Sequence, residues 1–131
     1  LRLAAERPTL RVVADQWGVP NYTADLADAV AIAINRPRAE LSKLAGLYHL
    51  SATGTTNWCE FARAIIRGAA MAERVTVEAI STSDYPTAAK RPAFSALNGS
   101  RFAATSDGIL RNGETDCGAA LPRGDDRRKL S

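Results

Sequence analysis

The segment at residues 81–97 reads S-T-S-D-Y-P-T-A-A-K-R-P-A-F-S-A-L. Pro86 and Pro92 lack the backbone N–H that a helix or a central strand needs, and each restricts the residue before it to extended geometry. The adjacent cations Lys90 and Arg91 lie between these prolines. The pattern predicts a stiff loop that presents two positive charges, which suits an anionic group on a ligand. A solvated connection without a ligand is the alternative.

Strands and helices are predicted to alternate ahead of this proline loop. Residues 9–14, 46–51 and 75–80 have the short apolar or alternating pattern of strands. Helices are predicted after residue 22 and after residue 57, and a short one near residue 100. The apolar stripes of the first two helices consist of Leu26, Ala27, Val30, Ala31 and Ile34, and of Trp58, Phe61, Ala62, Ile65 and Ala69. This alternation predicts an α/β layer arrangement.

Capping residues support both long helices. Thr23 is expected to cap the first, and Asn57 with Glu60 has the spacing of a capping box for the second, with Thr56 as an alternative cap. Cys59 lies in the first turn of the second helix, where we expect a small buried hydrophobic residue.

Composition excludes several classes of protein. The chain has 131 residues, enough for one domain, and its net charge of +3 is too small and scattered to indicate nucleic-acid binding. No apolar run approaches the roughly 20 residues of a membrane span, and no signal peptide opens the chain. Cys59 and Cys117 are the only cysteines, so no disulfide framework or multi-cysteine zinc site is available. We expect a cytoplasmic protein without a metal.

Several catalytic patterns are absent from the sequence. There is no G-x-G-x-x-G turn for a dinucleotide, and the S-A-T-G-T-T stretch is not a phosphate-binding P-loop. No tyrosine is followed by lysine four residues later, because Lys90 lies five residues after Tyr85. His49 is the only histidine, which argues against a hydrolytic triad. We therefore assign no catalytic residue to this chain.

Three blocks, V-V-A-D-Q-W-G-V-P-N-Y-T-A-D-L-A, G-L-Y-H-L-S-A-T-G-T-T-N-W-C-E-F-A and S-D-Y-P-T-A-A-K-R-P-A-F-S-A-L, occur in this order. Together they resemble the C-terminal half of the dTDP-4-dehydrorhamnose reductases, which are extended short-chain dehydrogenases/reductases. The resemblance covers residues 1–107. It implies an α/β fold that is the C-terminal portion of a Rossmann-type fold and lacks the cofactor-binding half.

The resemblance also implies a function. In that family an N-terminal Rossmann domain binds NADPH and carries a Tyr-x-x-x-Lys pair, while the C-terminal part closes over a dTDP-sugar. The enzyme reduces dTDP-4-dehydro-6-deoxy-L-mannose to dTDP-L-rhamnose. By resemblance this chain is the substrate-binding part, inactive and without NADPH when isolated, and its partners are the dTDP-sugar, the Rossmann domain and a second copy in a homodimer. The alternative is a non-catalytic binding or regulatory module of the same superfamily.

The family's substrate-binding positions fall in two of these blocks. By resemblance they are Asp15, Gln16, Trp17, Gly18, Pro20, Lys90 and Arg91. Hydrogen bonds to sugar hydroxyls are expected from Asp15 and Gln16, and stacking or packing from Trp17. We expect Arg91 to contact the diphosphate through its planar fork, with Lys90 as a weaker helper. An ion pair of Arg91 with Asp84 or Glu78 is the alternative.

The sequence departs from the family pattern at three points. The cofactor half is missing, and the chain begins with Leu1 in what resembles the end of a helix, which suggests a piece of a longer protein. Asn21 stands where the family usually has threonine. Residues 108–131 lack the expected final amphipathic helix, so we expect a poorly ordered tail after a substrate-binding segment at residues 1–107.

Overall fold

A computed structural model describes residues 1–105 of the chain, so the tail expected at residues 108–131 lies outside the described residues. The helices are α1 (Arg2–Glu6), α2 (Thr23–Ile34), α3 (Arg38–Lys43), α4 (Trp58–Gly68) and α5 (Ser100–Thr105), with a 3₁₀ turn at Thr82–Asp84. The strands are β1 (Thr9–Val13), β2 (Trp17–Gly18), β3 (Thr56–Asn57) and β4 (Thr76–Ile80). The predicted α/β arrangement is confirmed.

The core forms where α4 packs on a pair of parallel strands. Strand β1 pairs with β4 in a register that runs from Thr9 opposite Thr76 to Val13 opposite Ile80. The buried core residues are Ala4, Cys59, Ile66, Val75 and Val77. Cys59 is only 1% exposed, which confirms it as a small buried hydrophobic residue. Alternate β-strand residues and one stripe of α4 therefore build the core, as the two periodicities predict.

A second, smaller sheet forms beside this core. Trp17 and Gly18, directly after the turn that follows β1, form a short strand that pairs antiparallel with β3. The proline loop joins on the other side of Trp17, whose N–H donates to the Ala93 carbonyl at 2.8 Å and whose carbonyl accepts from the Ser95 N–H at 2.9 Å. Three segments far apart in sequence thus meet at Trp17.

The expected cap of α4 is confirmed in part. The Asn57 side chain accepts a hydrogen bond from the Glu60 N–H at 2.9 Å, as an N-cap should. The Glu60 carboxylate does not return to Asn57 as in a full capping box, because it pairs with Arg63 at 2.7 Å. The cap fixes the first turn of α4 beside the smaller sheet.

Helix α2 differs from its prediction in cap and in orientation. Tyr22 is its N-cap residue and gives no side-chain cap, so the expected cap by Thr23 is wrong. The predicted buried stripe is wrong as well, since Ile34 is 65% exposed and Ala29 is the buried residue of the helix. Periodicity shows that one face is apolar, but the direction of that face depends on tertiary contacts.

The strand predicted at residues 46–51 does not form. A strand needs a neighbour to pair with, and no other described segment lies alongside this one as a strand. Side chains hold the segment instead, since Arg101 donates to the Leu47 carbonyl at 2.9 Å and its guanidinium lies 4.5 Å from the centre of the Tyr48 ring. The Leu47 side chain is 76% exposed.

Residues 1–105 contain neither a membrane-spanning helix nor a metal-ligand cluster. None of the described helices is long and apolar enough to cross a membrane. In the same range, no three His, Cys, Asp or Glu side chains come together as a metal site would require.

Candidate functional site

A cleft of about 210 Å³ opens where the three segments meet at the smaller sheet. Its walls come from residues 16–20, from residues 56–58 with Phe61 of α4, and from residues 91–92 with Ser95. The turn after β1, the start of α4 and the proline loop therefore supply one wall each. Among the expected substrate-binding residues, this cleft brings together Gln16, Trp17, Gly18, Pro20 and Arg91.

The turn after β1 approaches the proline loop closely at Gly18. A β-carbon on Gly18 would lie 2.8 Å from the Ser95 Oγ, nearer than such atoms come in practice. The Ser95 Oγ in turn donates to the Trp17 carbonyl at 3.2 Å. Glycine at this position lets the two walls of the cleft meet.

Asp15 faces away from the cleft and holds the 3₁₀ turn. Its Oδ1 accepts from the Thr82 hydroxyl at 2.6 Å, and its two oxygens accept from the Thr82 N–H at 3.1 and 3.0 Å. The hydroxyl donor, followed by the backbone donor, lowers the pKa of Asp15 from its ordinary value. The structure thus separates Asp15 from the five expected residues that line the cleft.

A second carboxylate closes the base of the proline loop. The Asp84 Oδ2 accepts from the Ser81 hydroxyl at 2.7 Å and from the Ser81 N–H at 3.1 Å. These donors, the hydroxyl first, lower the pKa of Asp84. Within residues 1–105, Asp84 forms no salt bridge with Lys90 or Arg91.

Arg91 lies at the mouth of the cleft and lines a shallower neighbouring pocket as well. Within residues 1–105 its side chain forms no ion pair or hydrogen bond, and the alternative pair with Asp84 or Glu78 is not formed. Lys90 is also exposed but lines neither of the two pockets. The structure therefore separates the two cations: Arg91 is available at the cleft, and Lys90 lies beside it.

Trp58 is one of the cleft residues that the sequence pattern did not assign to a site. Its periodicity placed it in the buried stripe of α4, but the side chain is 59% exposed and lines both pockets. Its position as the first residue of α4, directly after the cap, was the available signal, because a first-turn side chain lies at the edge of the helix's packed face. Trp17, in the strand that pairs with Asn57, also lines the cleft and is 44% exposed.

The chemistry of the cleft is that of a binding site for an anion with a flat or apolar portion. A free guanidinium can engage phosphate oxygens at two points. Exposed indoles provide faces for a sugar or a base. Gln16 adds an amide that can fix the orientation of a polar group.

The sequence matches the family described as the RmlD substrate binding domain over residues 1–123. The dTDP-4-dehydrorhamnose reductase of Salmonella typhimurium is 43% identical over 118 residues, which are 84% of this chain and 38% of that protein. The spore coat polysaccharide biosynthesis protein SpsK of Bacillus subtilis is 38% identical over 98 residues, covering 75% of this chain and 31% of the relative. The chain thus spans 38% of the first relative's length and 31% of the second's.

The chain is also similar to solved structures of dTDP-4-dehydrorhamnose reductases. The dTDP-4-dehydrorhamnose reductase of Bacillus anthracis, in complex with NADP, superposes with a TM-score of 0.68 at 35% identity, over 84% of this chain and 39% of that one. The Clostridium acetobutylicum reductase gives 0.67 at 33% identity, over 76% and 33%. These likenesses confirm the α/β fold class and the resemblance found in the sequence.

Proposed function

Since the chain belongs to the RmlD substrate-binding domain family, we propose that it is the C-terminal, substrate-binding part of an NADPH-dependent reductase acting in the cytoplasm. The complete enzyme converts dTDP-4-dehydro-6-deoxy-L-mannose to dTDP-L-rhamnose. The observation that carries this proposal is the Arg91 guanidinium, which has no partner within residues 1–105 and lies at a cleft that Trp17 and Trp58 also line.

Each wall of the cleft has a separate task in this proposal. Arg91 holds the diphosphate, because a charge-assisted pair in a partly enclosed cleft is stronger than one in open water. Trp17 and Trp58 offer indole faces to the sugar or the thymine. Gln16 gives a hydrogen bond, and Lys90, outside the cleft, adds attraction at longer range.

Within residues 1–105 the chain has no turn of the kind that binds a dinucleotide such as NADPH. Strand β1 runs on into β2, and β4 runs into the 3₁₀ turn and the proline loop, so neither parallel strand leads through a glycine-rich turn into a helix. We place the cofactor in an upstream Rossmann domain, where it supplies the hydride. This chain's own residues bind and orient the sugar nucleotide.

We expect that the purified 131-residue chain neither binds NADPH nor reduces a 4-keto sugar. The reason is that the chain has no dinucleotide turn and no Tyr-x-x-x-Lys pair. NADPH fluorescence and absorbance at 340 nm measure the two properties, and cofactor-dependent turnover by this chain would contradict the expectation.

Exposed apolar side chains of this chain form a surface against which the proposed upstream domain can pack. Val30 and Ile34 of α2 and Leu47 in the following segment are exposed apolar side chains. The relatives are more than twice as long as the part that matches, so they contain enough chain for a second domain. We propose that the Rossmann domain covers these residues, with a second copy of this chain as the competing occupant.

Calorimetric titration of the chain with dTDP-L-rhamnose tests the proposed function. Arg91→Lys keeps the charge but loses the two-point geometry, so we expect a loss of about 1.5–3 kcal/mol, roughly 10- to 150-fold in Kd. Lys90→Met is the matched control and should change Kd by less than about threefold. Equal affinities for the unaltered chain and Arg91→Lys, or no saturable binding at all, would contradict the proposal.

A further inference from the structure

The amide of Gln16 is held in one orientation by two residues behind it. Its Nε2 lies 3.1 Å from the Thr82 Oγ1, and the same Oγ1 lies 2.6 Å from the Asp15 Oδ1. Asp15, Thr82 and Gln16 thus form a chain of hydrogen bonds from the 3₁₀ turn to the wall of the cleft. We call these three residues the Gln16 relay.

The chemistry of each group fixes the direction of every bond in the relay. The Asp15 carboxylate is ionised at neutral pH and can only accept. The Thr82 hydroxyl has one proton, which it donates to Asp15, so its oxygen acts as an acceptor towards Gln16. The amide group that faces Thr82 must therefore be the NH₂ end of Gln16.

The other end of the amide is left for a ligand. Gln16 lines the cleft, and no donor within residues 1–105 bonds to its Oε1. We infer that the relay presents the Gln16 Oε1 to the cleft as a fixed acceptor, so that this site selects ligands that offer an N–H or O–H there. Asp15 and Thr82 are then positioning residues that act through Gln16. For Asp15 this replaces the direct contact with the sugar that the resemblance implied.

The inference rests on the proposed function for the identity of the ligand. A dTDP-sugar offers suitable donors in its sugar hydroxyls, in the deoxyribose hydroxyl and in the thymine N3–H. A fixed acceptor favours any of these over an acceptor group such as a carbonyl oxygen at the same point, because two facing acceptors leave a polar group unpaired. The relay thereby contributes specificity in addition to the charge contact at Arg91.

Thr82→Val tests the relay with little change of shape. The variant removes the hydroxyl but keeps the backbone N–H of residue 82, which donates to the Asp15 carboxylate. The 3₁₀ turn therefore stays bound to Asp15. Thr82→Ser restores the hydroxyl. Ser83→Ala is a second control, since the Ser83 hydroxyl contacts Ser81 and not the relay. Without the Thr82 hydroxyl, the amide of Gln16 can rotate, and its Oε1 is no longer held towards the cleft.

The first measurement is the Kd of dTDP-L-rhamnose for the unaltered chain and for each of the three variants. We expect Thr82→Val to weaken binding about three- to tenfold, the size of one neutral hydrogen bond. Thr82→Ser and Ser83→Ala should stay within about twofold of the unaltered chain. Equal affinities for Thr82→Val and Thr82→Ser would overturn the inference.

A second measurement needs no ligand. In ¹H–¹⁵N spectra, the Gln16 side-chain NH₂ should show contacts to Thr82 and should move to the position of a free glutamine amide in Thr82→Val only. A free amide in the unaltered chain would overturn the relay. A restrained amide together with no binding of dTDP-L-rhamnose would support the relay and overturn the proposed function.

Discussion

At the scale of single residues, the groups that the cleft can offer to a ligand are those that have no partner within the described part of the chain. Asp15 and Asp84 are occupied by Thr82 and Ser81, and this leaves Arg91 without a carboxylate partner within residues 1–105. Arg91 and the turn after β1 both line the cleft. The sequence favoured Arg91 over Lys90 as the diphosphate contact only through the two-point geometry of the guanidinium. It does not say which of two adjacent side chains in an extended loop faces the cleft, because neighbouring residues there point in different directions.

The Asp84 carboxylate gives the loop a dependence on pH. Its pKa is lower in the folded chain than in the unfolded one, so its stabilising effect is fully present above the ordinary aspartate pKa of about 3.9 and is lost as the pH falls through the lower folded value. We expect Asp84→Asn to lower Tm at pH 6, and we expect the difference from the unaltered chain to shrink as the pH falls below about 3.9. Thermal unfolding at several pH values measures this. A difference in Tm that stays constant down to pH 3 would show that the charge of Asp84 has no part in it.

At the scale of elements, the sequence predicted best where local chemistry and tertiary contacts agree. Strand β1, strand β4 and the cap of α4 were predicted from periodicity and from Asn57, and all three form. The strand expected at residues 46–51 did not form, since a strand requires a neighbour as well as a pattern. The stripe expected to be buried on α2 is mostly exposed, and the sequence could not tell which side of α2 the core lies on.

The end of α4 contains an unfavourable residue. Ala70 has a φ of 54°, in the left-handed region, and the chain closes there with hydrogen bonds from the Ala70 N–H to the Arg67 carbonyl and from the Met71 N–H to the Ile66 carbonyl. Glycine is preferred at this position because it has no Cβ. We expect Ala70→Gly to raise the free energy of unfolding by about 0.5–1 kcal/mol.

Urea denaturation measures this effect. Ala69→Gly is the matched control, because Ala69 has a φ of −84° and gains nothing from glycine. Ala69→Gly should leave the free energy of unfolding unchanged or lower it. If both glycine variants destabilise the chain equally, the left-handed conformation at Ala70 is wrong.

The outward face of α2 gives a second prediction for an element. Ile34 is exposed, so Ile34→Lys should change Tm by less than about 2 °C, whereas Ala29→Lys on the buried side should lower it strongly. Ile34→Lys should also reduce binding of the dye ANS, which reports exposed apolar surface.

Size-exclusion chromatography distinguishes the possible occupants of this face. A monomeric chain whose ANS binding falls in Ile34→Lys would fit a face left for another domain. A dimer that Ile34→Lys dissociates would show that a second copy covers it. A large loss of Tm in Ile34→Lys would contradict the orientation of α2.

At the scale of the whole molecule, the chain combines a small core with a cleft at its edge. The parallel pair β1–β4 and helix α4 hold the walls, because the turn after β1, the residues before α4 and the loop after β4 all leave this core on the same side. Each wall of the cleft comes from a separate segment, and each segment could be recognised in the sequence by itself. Their meeting at Trp17 follows from the pairing of β2 with β3 and with the proline loop, which is non-local and which no single segment encodes.

The most direct test of the account is a ¹H–¹⁵N titration of the 131-residue chain with dTDP-L-rhamnose. The account predicts saturable shifts of the Trp17 and Trp58 indole N–H signals and of the Arg91 side-chain N–H, with the Kd found by calorimetry. Signals from residues remote from the cleft, such as the Leu47 amide, should stay in place. Shifts centred elsewhere on the chain, or none at these three side chains at saturation, would contradict the assignment of this cleft as the sugar-nucleotide site.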